Sequence, residues 1–245
     1  MSLSYRIIQL SDLHFSLKKE SSLVSLNRTL HFLSQEKADL VVITGDLTDK
    51  NDEESYLYFL SAYQKATNIP LAVTPGNHDS LQKMQQLFAP ELLPFEIDFS
   101  DWKIIILNSA VEEQDHGFIA EEALSQLQER LLDHSSQQIL LFTHHHPLPV
   151  NSLWLDQYIL ENSADLFQII DTNPTAIKGL FHGHIHQPSE FSHPHFKIYG
   201  TPSTSSQYQP NNDSAVLISN DTYYRNIQLF SNGSIDTKIV RITDS

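Results

Sequence analysis

The chain has no cysteine among its 245 residues, which removes disulfide scaffolding, thiolate metal sites and a thiol nucleophile in one step. Any metal it binds must take nitrogen and oxygen donors. Long apolar runs are missing too: no stretch approaches the roughly 20 consecutive apolar residues that a bilayer-spanning helix needs. The segment Met1 to Arg6 also lacks the charged-then-apolar pattern of a secretory signal. A cytoplasmic protein with no membrane partner is expected. Basic residues are scarce, fifteen against thirty acidic ones, for a formal net charge of −15. Nucleic-acid backbones are gripped chiefly through Lys and Arg, so a nucleic-acid partner is disfavoured. A small phosphate ester stays compatible with this charge, because cations in a cleft dominate the local field even on an acidic protein.

What is present points to an ordinary globular protein, with 40% hydrophobic and 18% charged residues. The length suits one domain over residues 1–245, and no repeat or linker divides it. Short apolar runs at Arg6 to Leu10, Leu40 to Thr44, Leu71 to Thr74, Lys103 to Leu107, Ile139 to Thr143 and Ile177 to Phe181 predict buried strands. Segments Ser22 to Gln35, Glu53 to Ala66, Glu121 to Asp133 and Ala164 to Ile170 repeat apolar residues every three or four positions, which predicts helices between the strands. The alternation argues for an α/β layered fold. The stretch after Glu190 is richer in strand pattern, so an all-parallel sheet is not expected.

Nearly every predicted strand up to residue 186 runs straight into a cluster of metal-binding residue types. The clusters are Ser11-Asp12-Leu13-His14, Gly45-Asp46-Leu47-Thr48-Asp49, Gly76-Asn77-His78-Asp79, Thr143-His144-His145-His146-Pro147 and His182-Gly183-His184-Ile185-His186. Singly, each has a plainer use as a turn, a helix cap or a strand end. Together they carry the argument, because carboxyl ends of strands in layered α/β proteins open into one crevice. Spacing by one residue in an extended segment puts Asp12 and His14 on one side of the chain, and likewise His184 and His186. Imidazole, carboxylate and amide oxygen suit Mn, Fe, Zn or Co better than Mg or Ca. Two such ions sharing a carboxylate catalyse displacement at phosphorus. Asp46, which follows a strand and is preceded by Gly45, is the best bridging candidate. At most two residues of the His144 to His146 run are expected to be ligands.

The five blocks, in this order, resemble the calcineurin-like metallophosphoesterases, whose signature runs D-x-H, G-D, G-N-H-D/E, H and G-H-x-H. The strings His144 to Pro149, Trp154 to Gln157, Gly183 to Gln187 and Thr201 to Thr204 with Gln207 are similar to the bacterial class III 3′,5′-cyclic AMP phosphodiesterases. The resemblance covers roughly Arg6 to Gln207. It implies a four-layer αββα sandwich of two mixed sheets flanked by helices. It also implies two divalent or trivalent metal ions, Fe and Mn first, Zn and Co next. Asp12, His14 and His186 would hold one ion, Asn77 and His184 the other, with Asp46 shared. The family's H-x-P favours His145 as the remaining ligand, while the residues alone leave His144 open as well. Asn77 and His78 would act on the reacting phosphate, His78 as general acid. The implied substrate is cyclic AMP, hydrolysed to 5′-AMP by water activated between the ions, by a monomer or homodimer. The alternative is a broader phosphodiesterase or phosphomonoesterase of the same superfamily, acting on 2′,3′-cyclic nucleotides or glycerophosphodiesters.

Overall fold

The computed structural model describes residues 4–133 and 137–243. Its first half supplies strands β1 (Ser4–Leu10), β2 (Leu40–Thr44), β3 (Leu71–Thr74), β4 (Glu96–Phe99) and β5 (Trp102–Ile106), with helices α1 (Glu20–Gln35), α2 (Glu53–Ala66) and α3 (Leu81–Leu87). The second half supplies α4 (Glu121–Leu132), β6 (Gln138–Phe142), α5 (Leu153–Asp156), α6 (Ser163–Ile170) and β7 (Ile177–His182). Six further strands complete it: β8 (Ser189–Ser192), β9 (Lys197–Gly200), β10 (Gln207–Tyr208), β11 (Leu217–Ser219), β12 (Thr222–Phe230) and β13 (Ile235–Ile242).

Two large sheets result, of order β13-β12-β1-β2-β3 and β4-β5-β6-β7-β9-β8. Strands β1, β2 and β3 run parallel, as do β5, β6, β7 and β9, and each sheet carries antiparallel strands at its margin. Both sheets are therefore mixed, as the strand-rich C-terminal third suggested.

The side-chain alternation of the strands sorts the core into three layers of contact. Ile8, Leu10, Val41, Ile43 and Val73 face α1, α2 and α3, meeting Leu30, Leu33, Phe59 and Met84. Their neighbours Ile7, Val42 and Ala72 point the other way, against Trp102, Ile104, Phe142 and Phe181 of the second sheet. Ile105, Leu141 and Leu180 emerge on the far face, where α4 and α6 cover them with Leu127 and Leu166. The order helix, sheet, sheet, helix is the αββα sandwich. Phe142 and Phe181 stack at 5.3 Å between the sheets, each burying a side chain at about 1.5–3 kcal/mol.

The helices carry local signals of their own. Asp52 caps α2 by accepting the Ser55 N–H at 3.0 Å, and Glu53 and Glu54 in its first turn complement the helix dipole, as Lys65 does in its last. Parallel order brings the carboxyl ends of β1, β2, β3, β6 and β7 to one rim. There, backbone bonds sew the following turns together, among them Asp12 N–H to Gly45 C=O at 3.0 Å and Gly183 N–H to His144 C=O at 3.1 Å.

Candidate metal centre

The turns after these strands depart from the extended geometry expected of them. Asp12, His14, Asp46, His184 and His186 all have φ between 42° and 69°, in the left-handed region. Such backbone is uncommon outside glycine and costs free energy, so it persists where surrounding contacts over-determine it. The same-side placement of Asp12 with His14, and of His184 with His186, thus comes from kinked turns. Gly45, at φ 88°, turns the chain tightly: a Cβ there would strike the His144 ring and come within 2.9 Å of Gly76 Cα.

Donor atoms converge in two neighbouring groups. Asp12, His14, Asp46 and His186 form the first, with all four donors within 4.8 Å of one another. In it His14 Nε2 lies 3.0 Å from His186 Nε2 and 3.4 Å from Asp46 Oδ2. His186 Nε2 lies 3.4 Å from Asp12 Oδ1. The second group gathers around His144, whose Nε2 is 3.1 Å from Asn77 Oδ1 and 3.6 Å from Asp46 Oδ1. His145 and His184 offer nitrogens within 4.8 Å of His144 and of each other. Asp46 therefore turns one oxygen to each group.

Outer contacts fix the rings. His144 Nδ1 lies 2.7 Å from the Thr44 carbonyl and His186 Nδ1 lies 2.9 Å from the Ser206 carbonyl. As N–H donors there, both rings present Nε2 to the centre. His145 differs, since Nδ1 meets Ser109 Oγ at 2.8 Å and Nε2 meets the Asp115 carbonyl at 3.2 Å. Both its nitrogens are engaged. His146 turns away from the centre, towards Asp156 at 3.7 Å.

His78 is the most open residue of the set. Its backbone N–H donates to Asp46 Oδ1 at 2.9 Å, and its Nδ1 lies 3.0 Å from the Asp49 carbonyl. That leaves Nε2 free for the cleft.

Charge follows from this packing. Burial drives His14, His145 and His184 well below the ordinary imidazole value, and the neighbouring imidazoles add to it. They are neutral, the form that binds metal. Burial alone would raise the Asp12 carboxyl, yet the facing His186, His144 and His14 rings outweigh it and hold it below the carboxylate range. For His78 partial burial is overcome by the Asp46 and Asp49 carboxylates and its bond to the Asp49 carbonyl, which raise its pKa. Neutral imidazoles, carboxylates and an amide oxygen around one shared carboxylate are a donor set that fits a pair of borderline divalent ions.

Some residues near the centre escaped sequence reasoning. Asp79, buried, accepts the backbone N–H groups of Leu47, Thr48 and Gly76 at 3.0–3.1 Å and the Tyr56 hydroxyl at 2.9 Å, fastening the second and third loops together. Its place in Gly76-Asn77-His78-Asp79 was the available signal. Ser203 and Ser205 hydroxyls both donate to the Asp12 carbonyl, at 2.7 and 3.0 Å. The loop Thr201 to Gln207 thus braces the ligands as well as lining the cleft. That cleft, about 350 Å³, runs from His14, Asp46, Asn77 and His184 to Trp154 and Tyr208. Trp154 sits on the one-turn helix α5.

The fold and these clusters define the class: the chain belongs to the calcineurin-like phosphoesterase family, whose model matches residues 5–188, a family of binuclear metal-dependent phosphoesterases. Within it, the chain is 31% identical over 252 residues to the 3′,5′-cyclic adenosine monophosphate phosphodiesterase CpdA of Haemophilus influenzae, covering 97% of this chain and 90% of that protein. It is 30% identical over 250 residues to CpdA of Vibrio vulnificus, with 98% and 90% covered. A 3′,5′-cyclic-nucleotide phosphodiesterase of Nostoc is 31% identical over 246 residues, with 96% and 92% covered. Among solved structures a dimetal phosphatase from Danio rerio shares the fold, with a TM-score of 0.66 at 13% identity and 98% and 99% of the chains covered.

Proposed function

We propose that the chain hydrolyses a 3′,5′-cyclic nucleotide, cyclic AMP foremost, to the 5′-monophosphate at a two-metal centre. The observation that carries this is the position of Asp46, one oxygen facing His14 and the other facing His144. Asp12, His14 and His186 would hold the first ion, and Asn77, His144 and His184 the second, with Asp46 offering an oxygen to each group. His144 is preferred to His145 because Ser109 and the Asp115 carbonyl occupy both nitrogens of His145. The curated relatives named above support the substrate assignment. When bound, two such ions lower the pKa of water and offset charge on the phosphoryl oxygens.

The rest falls to the protein. Asn77 and His78 border the cleft beside Asp46 and meet the charge gathering on the phosphoryl group. Water adds to phosphorus, the bond to the 3′-oxygen breaks, and that oxygen needs a proton. His78 suits this step: its Nδ1 lies on the Asp49 carbonyl, its Nε2 is left for the cleft, and the Asp46 and Asp49 carboxylates raise its pKa, which favours the proton-carrying ring a general acid needs.

Elemental analysis joined to a substrate panel tests the reading. Cyclic AMP, 2′,3′-cyclic AMP and an aryl phosphate diester, each with Mn, are compared by kcat/KM. The expected result is two ions per chain and the highest efficiency on 3′,5′-cyclic AMP. A higher value for either of the other two substrates sinks the assignment.

A further inference from the structure

One end of the cleft holds the candidate ligands, and the other is aromatic. Tyr208 packs on the ligand ring His186, with centroids 5.0 Å apart, and meets Trp154 edge to face at 5.2 Å. An apolar surface therefore begins where the metal ligands end. Trp154 is supported from behind by Val150, Leu155 and Ile185, and it still borders the cleft. Ser25 and Asn220 contribute polar groups to the same space.

The two loops bearing these rings form one piece. Asp156 accepts the N–H groups of Val150 and Ser152 at 2.7 and 3.2 Å, and so fixes the turn that carries Trp154. Ser152 Oγ donates to the Asn212 carbonyl, and Leu153 N–H to Asp213 Oδ1 at 3.3 Å. On the other side, the Gln207 amide spans the Ser203 and Asp221 carbonyls at 2.7 and 2.9 Å, next to Tyr208. The same loop holds Asp12 through Ser203 and Ser205 and holds His186 through the Ser206 carbonyl. The distance from the aromatic surface to the ligands is thereby set by bonds on both sides. A rigid apolar wall at a fixed distance from a phosphate site, with hydroxyl and amide groups in the same space, fits a flat ring with a heteroatom edge. The cleft volume lies within the usual range of small-molecule sites. An acyclic glycerol diester would leave this wall uncovered.

We infer that Trp154 and Tyr208 form a nucleobase subsite that selects cyclic phosphates carrying an aromatic base. This rests on the phosphodiesterase reading and deepens it by naming what sets its specificity.

The test compares kcat/KM for cyclic AMP with kcat/KM for 1-O-methyl-ribose 3′,5′-cyclic phosphate, which keeps the reacting atoms and lacks the base. Base–aromatic stacking measured by alanine substitution implies that Trp154→Ala lowers this ratio roughly five- to hundred-fold. Tyr208→Leu should lower it in the same direction. An unchanged ratio overturns the subsite, including the case where both rates fall together because the loop was disturbed. A binding measurement covers variants that do not fold. The chain has two tryptophans, and Trp102 is buried with its indole N–H on the Phe230 carbonyl. Quenching of wild-type fluorescence by 5′-AMP, lost in Trp154→Phe, is therefore expected, and no quenching in the wild type refutes the subsite. The two readings fail separately. Cyclic AMP hydrolysis with an unchanged ratio removes the subsite alone, whereas 5′-AMP quenching in a protein inert to every phosphoester removes the activity alone.

Discussion

At the scale of single residues, three histidines that each lie just past a buried strand have different surroundings. His78 donates its backbone N–H to Asp46, lays Nδ1 on a carbonyl and leaves Nε2 uncommitted. Its role in the proposed reaction is proton donation, so His78→Ala should keep two ions per chain while turnover falls roughly 10²- to 10⁴-fold. Elemental analysis beside steady-state kinetics checks this, and unchanged turnover would remove His78 from the mechanism. His144 and His145 separate on the same logic. His144 Nε2 faces Asn77 and Asp46, whereas His145 spends both nitrogens on Ser109 and Asp115. His144→Ala should bring the metal content down to about one ion per chain, while His145→Ala should retain about two. The reverse pattern would move the second site to His145.

Elements explain why such neighbours end up in different roles. Parallel strands deliver five loops to one rim, and close backbone approach holds those loops in register. Gly183 shows how little room remains, since a Cβ there would strike Ser11 Oγ and come within 2.8 Å of Asp12 Oδ2 and 2.9 Å of the Thr44 carbonyl. The carbonyl belongs to backbone and cannot swing aside. Gly183→Ala should therefore displace Asp12 and loosen metal binding about ten-fold or more, the scale seen when outer contacts to ligands are lost. Titration of the stripped protein with Mn measures it, and wild-type affinity would show that the rim yields more than this packing suggests.

The elements were also the most legible part of the sequence. The six apolar runs became β1, β2, β3, β5, β6 and β7 within two residues at each end, because strands buried on both faces read as unbroken hydrophobic stretches. Strand β4, Glu96–Phe99, stayed hidden because it lies at a sheet margin and mixes acidic with apolar residues. Convergence of the five blocks followed from strand order. The left-handed turns did not, since Asp12 and His14 carry no glycine to announce them. Nor could spacing divide His144 from His145, because their difference lies in Ser109 and Asp115, 36 and 30 positions before His145 in the chain. Tyr208 was silent for the same reason: its neighbours are distant in the chain.

For the whole molecule, gathering so many imidazoles in one rim makes stability depend on pH. Burial is the main cause that lowers His146 from the ordinary 6.5 to about 3, with His182 next to it adding to the effect. Burial likewise lowers His182 to about 4. Between pH 6.5 and 4 the unfolded chain takes up protons on both residues and the folded chain does not, so acidification favours unfolding. Their contribution is fully present above 6.5, is lost as pH falls, and is exhausted below about 3. His14, His145 and His184, also lowered, act with the same sign. His78 and His186 are raised and act with the opposite sign, favouring the folded state below 6.5. Five depressed rings against two elevated ones give a net loss towards acid. In metal-stripped protein, where release of an ion cannot contribute, Tm should therefore fall steadily from pH 7 to pH 4. Replacing one depressed ring by a side chain that does not titrate, as in His146→Gln, should flatten that slope. A Tm that stays level or rises on acidification would mean that these rings take up protons without unfolding, and that the rim tolerates charge its packing should exclude.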